Sequence, residues 1–193
     1  MASYMLFWTK DRIGYYMKNG DQGPLSVIFG GPHRSQPPLG KVAAGDILFP
    51  ITVINGKMYL LGRMEIDKII NERAYIKEIL LKSNPEITEW AKQKNRDPEY
   101  ILWDEYCYDN KKTITHKIPW NCTDNAALGK NGTKITKRAL PESKTGLIKI
   151  GPEEKPLKIK DGNILTPNLI GHFRRLHKTS EEIFNEIIEN TNE

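Results

Sequence analysis

Three sets of residues have the types and spacing to do chemistry: a glycine-rich loop, four tryptophans and a run of lysines. Gly30-Gly31 follows an apolar run, and paired glycines let backbone N–H groups converge on an anion. Arg34 adds a forked donor to that loop, and Ser35 and Gln36 add further polar contacts. The competing reading is a plain Pro-rich connection through Pro32, Pro37 and Pro38. Trp8 and Trp120 stand at the ends of apolar runs, where the mouth of a barrel would lie. A flat indole beside donors such as Asn121 and Arg34 is equipped to stack a base and read its edge. Such stacking is worth about 1–3 kcal/mol per base. Trp90 and Trp103 are expected in the core, with Tyr100, Trp103 and Tyr106 recurring at i,i+3 along one helix face.

Catalytic and metal signatures are sparse. The chain has no phosphate-binding loop, dinucleotide fingerprint or nucleophile elbow. His33 is the one histidine in a glycine-rich loop; it reads either as an acid–base group or as an exposed loop residue without an orienting carboxylate. Cys107, His116 and Cys122 could supply three zinc ligands, but structural zinc sites bring cysteines in close pairs. Two buried free thiols are therefore expected, with no metal and no cofactor. Two cysteines, and a start at Met1 to Lys10 without a secretory layout, predict a reduced, cytoplasmic protein. No apolar run approaches the ~20 residues that span a bilayer, so no membrane partner is expected.

The chain has 193 residues, 38% hydrophobic and 27% charged, with a net charge of +5. This excludes wholesale disorder, collagen-like repeats and a disulfide scaffold, and predicts one domain over 1–193. The charge is uneven. Residues 130–160 hold nine Lys/Arg against three Glu, a local net of +6, and residues 179–193 hold five Glu and no Lys/Arg. The basic stretch suits a polyanion, with Lys134, Lys137 and Arg138 as phosphate holders. It equally suits solvated lysine-rich strands that protect sheet edges.

The elements that must position these residues follow from local signals. Tyr4–Trp8 and Leu25–Phe29 read as strands, and Thr9 caps a helix over Lys10–Lys18. Ile47–Ile54 and Lys57–Ile66 flank Asn55-Gly56, the pattern of a hairpin with a type I′ turn. Asp67 is expected to cap a helix reaching about Lys82; Ser83 with Glu86 opens another to about Lys94, and Asp97-Pro98 a third over Glu99–Tyr106. Strands are expected at Thr113–Ile118, Ile135–Ala139, Leu147–Ile150 and Leu157–Lys160, with turns at Asn131-Gly132 and Asp161-Gly162. Thr166-Pro167 opens a helix to about His177, and Ser180 caps an amphipathic last helix through Glu189. Strands with inserted and terminal helices, without βαβ alternation, predict the α+β class: a small, partly closed β-barrel with a helical insertion at about 67–106 and C-terminal helices at about 167–190.

Gly45-Asp46-Ile47-Leu48-Phe49, followed by Tyr59-Leu60-Leu61-Gly62-Arg63-Met64-Glu65-Ile66, resembles the central hairpin of the PUA-like superfamily, where a Gly-Asp pair leads a barrel strand. Within it the EVE-like domains are most similar, with a first-strand aromatic like Trp8 and a ligand loop after an early strand like Gly30–Gln36. The resemblance covers roughly residues 4–66, about a third of the chain. It implies a non-catalytic reader of nucleic acid, often of a modified or flipped base, with Trp8, Gly30, Gly31, Arg34, Ser35 and Arg63 as ligand residues. On the residue chemistry, Trp120 and Asn121 join them. Two other classes stay open. A protein-binding immunity or regulatory protein would use the acidic last helix to block a toxin or other partner. An RNA-cleaving enzyme would set His33 beside Arg34 or Lys41.

Overall fold

The computed structural model describes residues 1–18, 20, 22–31, 39–98, 103–112, 114 and 125–191. Its frame is a sheet in which β1 (Ser3–Phe7), β2 (Val27–Phe29), β3 (Ile47–Ile54), β5 (Met64–Asn71), β6 (Asn125–Lys130) and β12 (Phe173–Arg175) lie in the order β12-β1-β3-β5-β6-β2. β1 and β3 are parallel, in register from Ser3↔Ile47 to Phe7↔Ile51, and the other neighbours on this path are antiparallel. A core cluster covers each face of β3, with Phe49 and Ile51 in one and Leu48 in the other, and the strand is accordingly buried from Ile47 to Val53. With the helices below, this is an α+β architecture.

β3 serves two partners along one edge. Ile47 and Leu48 pair with β5, while Ile51–Ile54 pair with β4 (Lys57–Leu60), which in turn pairs with β7 (Arg138–Ala139). The turn between β3 and β4 has φ 51° at Asn55 and 75° at Gly56, both left-handed, as the type I′ hairpin requires. Gly56 is held a second way: a Cβ there would lie 1.8 Å from Asn163 Oδ1. The Gly45-Asp46 pair that leads β3 also has a physical role. Gly45 sits at φ +87°. Asp46 is buried and accepts the Ala2 N–H on Oδ1 at 2.7 Å and the Ala43 N–H on Oδ2 at 3.0 Å, fastening the start of β1 to the start of β3.

Alternation along the strands divides the core. Met5 and Phe7 face one cluster, Leu6 and Trp8 another. On the first face α7 (Lys178–Glu189) lays Ile183, Phe184, Ile187 and Ile188 against the sheet, with Phe184 edge-on to Phe49 at 5.5 Å. On the second, α1 (Lys10–Lys18) contributes Ile13 and Tyr16. A third cluster joins Val27, Phe29 and Ala126 to an inserted helical layer. That layer comprises α2 (Glu72–Tyr75), a π-helical turn Ile76–Leu80, α3 (Leu81–Ser83), α4 (Glu86–Gln93) and α5 (Trp103–Asn110).

Four local expectations are corrected. The helix expected from Asp67 is strand as far as Asn71, because β5 continues across a register shift between Ile66 and Lys68 to pair with β6. Asn71, not Asp67, caps the helix that follows, its Oδ1 accepting the Ala74 N–H at 2.8 Å. The helix expected over Thr166–His177 is a single 3₁₀ turn, Thr166–Asn168, then β12, which completes the ladder on β1. Ser180 is not the cap of α7. His177 is, its Nδ1 accepting the Thr179 N–H, while the buried Ser180 hydroxyl bridges the backbone N–H and carbonyl of Lys149.

The remaining strands are short: β8 (Lys149–Ile150) with β9 (Lys155–Pro156), and β10 (Ile159–Lys160) with β11 (Asn163–Ile164), form two small hairpins, and α6 (Glu142–Thr145) precedes them. Of the strand expected at Thr113–Ile118, only Ile114 is among the described residues.

Candidate functional site

The link between β4 and β5, residues 61–63, is where distant basic residues meet. The Arg63 N–H donates to Thr133 Oγ1 at 2.9 Å, and the Arg63 carbonyl accepts the Thr133 N–H at 3.0 Å. The Thr136 N–H donates to the Leu61 carbonyl at 2.9 Å. Arg138 Nη1 donates to the carbonyls of Leu61 and Lys134, each at 3.3 Å. Arg63, Lys134 and Arg138 therefore surround one backbone crossing, although the ladder that joins them spans 70 residues of sequence.

Their surroundings give them different roles. Arg138 is 4% exposed, and burial pushes its guanidinium below its usual pKa. It fastens two loop carbonyls, which corrects its expected role as a solvent-facing phosphate holder. Lys134 and Lys137 are exposed and form no ion pair among the described residues. Arg63 is half-buried, and its Nε is fully buried without a hydrogen-bond partner among the described residues. A buried N–H without an acceptor costs about 1–3 kcal/mol, and because Nε has no access to solvent, an anion approaching from outside does not reach it. The field of Arg63 is felt nearby. Hydrogen bonds from Lys130 and Asn131 hold the Glu65 carboxyl below its usual range, and the charges of Lys130 and Arg63 push the same way.

Trp8 ends β1 as expected, but it is 2% exposed. Thr9 Oγ1 accepts the Arg12 N–H at 3.2 Å and starts α1 immediately after it, so the helix folds back over the indole. Tyr16 stacks on Trp8 at 4.7 Å with an 11° interplanar angle, and the Arg12 guanidinium lies 6.0 Å from the Tyr16 ring. One face of the indole is thus occupied by the chain itself, which corrects its reading as an open stacking wall. Trp8 does share a core cluster with Leu61 and Ile135, next in sequence to Gly62-Arg63 and Lys134. It packs beneath the basic crossing.

The loop expected to cradle an anion begins differently from its reading. The Gly30 N–H donates to the Asn125 carbonyl at 2.9 Å, so it extends the β2–β6 ladder and does not face an anion. Gly31 is buried beside it. His33, Arg34, Ser35, Gln36, Trp120 and Asn121 lie outside the described residues, as do His116 and Cys122. Cys107 is a half-buried free thiol, and no cluster of three metal-ligating side chains occurs among the described residues. Trp90 is in the core, edge-on to Tyr106 at 5.4 Å.

Sequence reasoning missed Tyr16, Thr133 and His172. A capping Thr9 after Trp8 was the available signal for Tyr16, since it fixes where the helix turns back. No local signal links Thr133 to Arg63. His172 was expected on a helix; instead it adjoins β12, where burial and then the charges of Arg174 and Lys41 lower its pKa from 6.5. No described helix is long and apolar enough to cross a membrane. Comparison of the chain with protein-family models, with curated proteins and with solved structures finds no match in any of the three.

Proposed function

We propose that this protein is a non-catalytic nucleic-acid-binding module built on a PUA-like, EVE-like barrel. The observation that carries the reading is the meeting of the half-buried Arg63 with the exposed Lys134 and Lys137, neither of which forms an ion pair among the described residues. Arg63 supplies a pre-positioned fork for a phosphate, since both its backbone groups are clamped by Thr133. Lys134 and Lys137 follow the strand as mobile point charges. Base contacts fall, on the resemblance, to Arg34 and Ser35 and, on residue chemistry, to Trp120 and Asn121, with Trp8 as the packed support under the site.

Fluorescence anisotropy with single-stranded RNA and DNA oligonucleotides tests this. Binding at 50 mM salt should weaken steeply as salt is raised, because each neutralised phosphate releases counterions. Arg63→Gln should lower affinity roughly tenfold or more, the worth of a hydrogen bond to a charged partner. Lys134→Gln with Lys137→Gln should reduce the log–log salt slope by about 1.4, about 0.7 per contact on a single strand. Absence of binding to either nucleic acid at 50 mM salt ends the reading.

A further inference from the structure

A cavity of about 280 Å³ lies away from the basic crossing, between β12 and the β8–β9 and β10–β11 hairpins. Its floor is Leu157 and Leu169, both buried and continuous with the core under α7. Leu165 stands at its mouth, 37% exposed. The Leu165 N–H donates to the Lys158 carbonyl at 2.9 Å, which ties the mouth to the rim. Lys155, Lys158 and Arg174 supply the rim charge. The one acid there, Glu153, is ion-paired with Lys155. Lys158 forms no ion pair among the described residues, so the rim keeps a positive surplus over an apolar floor.

We propose that this cavity binds a small amphipathic anion, an apolar chain or ring carrying one carboxylate, with its body on Leu157 and Leu169 and its head at Lys158. Volume sets the size. An apolar cavity of about 150 Å³ holds benzene, with six heavy atoms, so one of about 280 Å³ suits a ligand of about ten heavy atoms. An apolar body gains from leaving water, and the head gains charge-assisted hydrogen bonds from the rim. An uncharged apolar ligand leaves the rim unanswered, and a short polar anion leaves the floor unfilled. The site is independent of nucleic-acid binding, and either reading stands without the other.

Octanoate has ten heavy atoms and is the probe. Amide chemical-shift titration of the full chain should give saturable shifts at Leu157, Lys158, Leu165 and Leu169, with a dissociation constant of about 0.1–1 mM. From butanoate to octanoate each added methylene should tighten binding about fourfold, and the gain should stop once the cavity is full. Lys158→Gln should weaken octanoate about tenfold and leave octanol unchanged. Leu165→Glu, at the partly exposed mouth, should abolish binding of both, with Leu165→Ala as the milder variant should the first lower the thermal midpoint. No saturable shifts below about 10 mM octanoate, equal affinity for octanol and octanoate, or shifts mapping elsewhere would each overturn the proposal. So would a Leu-Glu-Glu peptide that shifts the same residues far more tightly, since the cavity would then be an anchor for a protein partner.

Discussion

Arg138 and Lys134 lie four residues apart in a stretch with a net charge of +6, yet one is inside and the other outside. In the interior the Arg138 head donates to the Leu61 and Lys134 carbonyls, the first of which also accepts the Thr136 N–H. Removing it takes a donor from both carbonyls. Arg138→Ala should therefore cost about 1–3 kcal/mol in chemical denaturation. Lys134→Ala should stay within about 0.5 kcal/mol, as for ordinary surface changes. A reversed order would mean that Arg138 is not the fastener of the crossing. His172 makes a second prediction. Burial disfavours its charged form, and Arg174 and Lys41 add to the effect, so its folded pKa lies below 6.5. As pH falls, the unfolded chain takes up this proton first. The contribution is full above the unfolded value and declines as pH drops through and below it. His172→Gln should flatten the loss of urea midpoint between about pH 7 and pH 5. An unchanged slope would show that other groups carry it.

At the scale of elements, α7 shows what an amphipathic pattern settles. Its apolar side was open to two uses, packing on its own protein or docking on another. Ile183, Phe184, Ile187 and Ile188 pack on the sheet, leaving the acidic side outward, where Glu186 pairs with Lys144 at 2.6 Å. Phe184 is fully buried and edge-on to Phe49, so Phe184→Ala should destabilise by about 3–5 kcal/mol, read in denaturant midpoint. A cost below about 1 kcal/mol would mean that the helix is only loosely attached. β6 makes the complementary point. The strand β6 runs through Asn125-Ala126-Ala127-Leu128-Gly129-Lys130, a composition poor in strand formers. It is a strand because β5 and β2 flank it and supply ladder partners on both edges.

At the scale of the molecule, the α+β class, the β3–β4 turn, α1 and the last helix were legible in the sequence, whereas the single strand expected over Lys57–Ile66 is two, β4 to Leu60 and β5 from Met64. Each rests on groups a few residues apart: Thr9 with Arg12, Asn55 with Gly56, apolar positions recurring every three or four residues. The extension of β5, the existence of β6 and the strand character of β12 were not legible. Their hydrogen bonds go to partners far along the chain, and pairing overrides local helix signals such as Asp67 and Thr166-Pro167. The site divides the same way. Lys134, Lys137 and Trp8 could be picked out by residue type, whereas Arg63 entered only through the resemblance. Only the tertiary structure brought Arg63 to Lys134 through Thr133, buried Arg138 and laid Tyr16 over Trp8. Charge and aromaticity belong to the residue and can be counted from the sequence. Whether a charge meets water or a carbonyl, and whether a ring face is free, depends on which distant strand lies beside it.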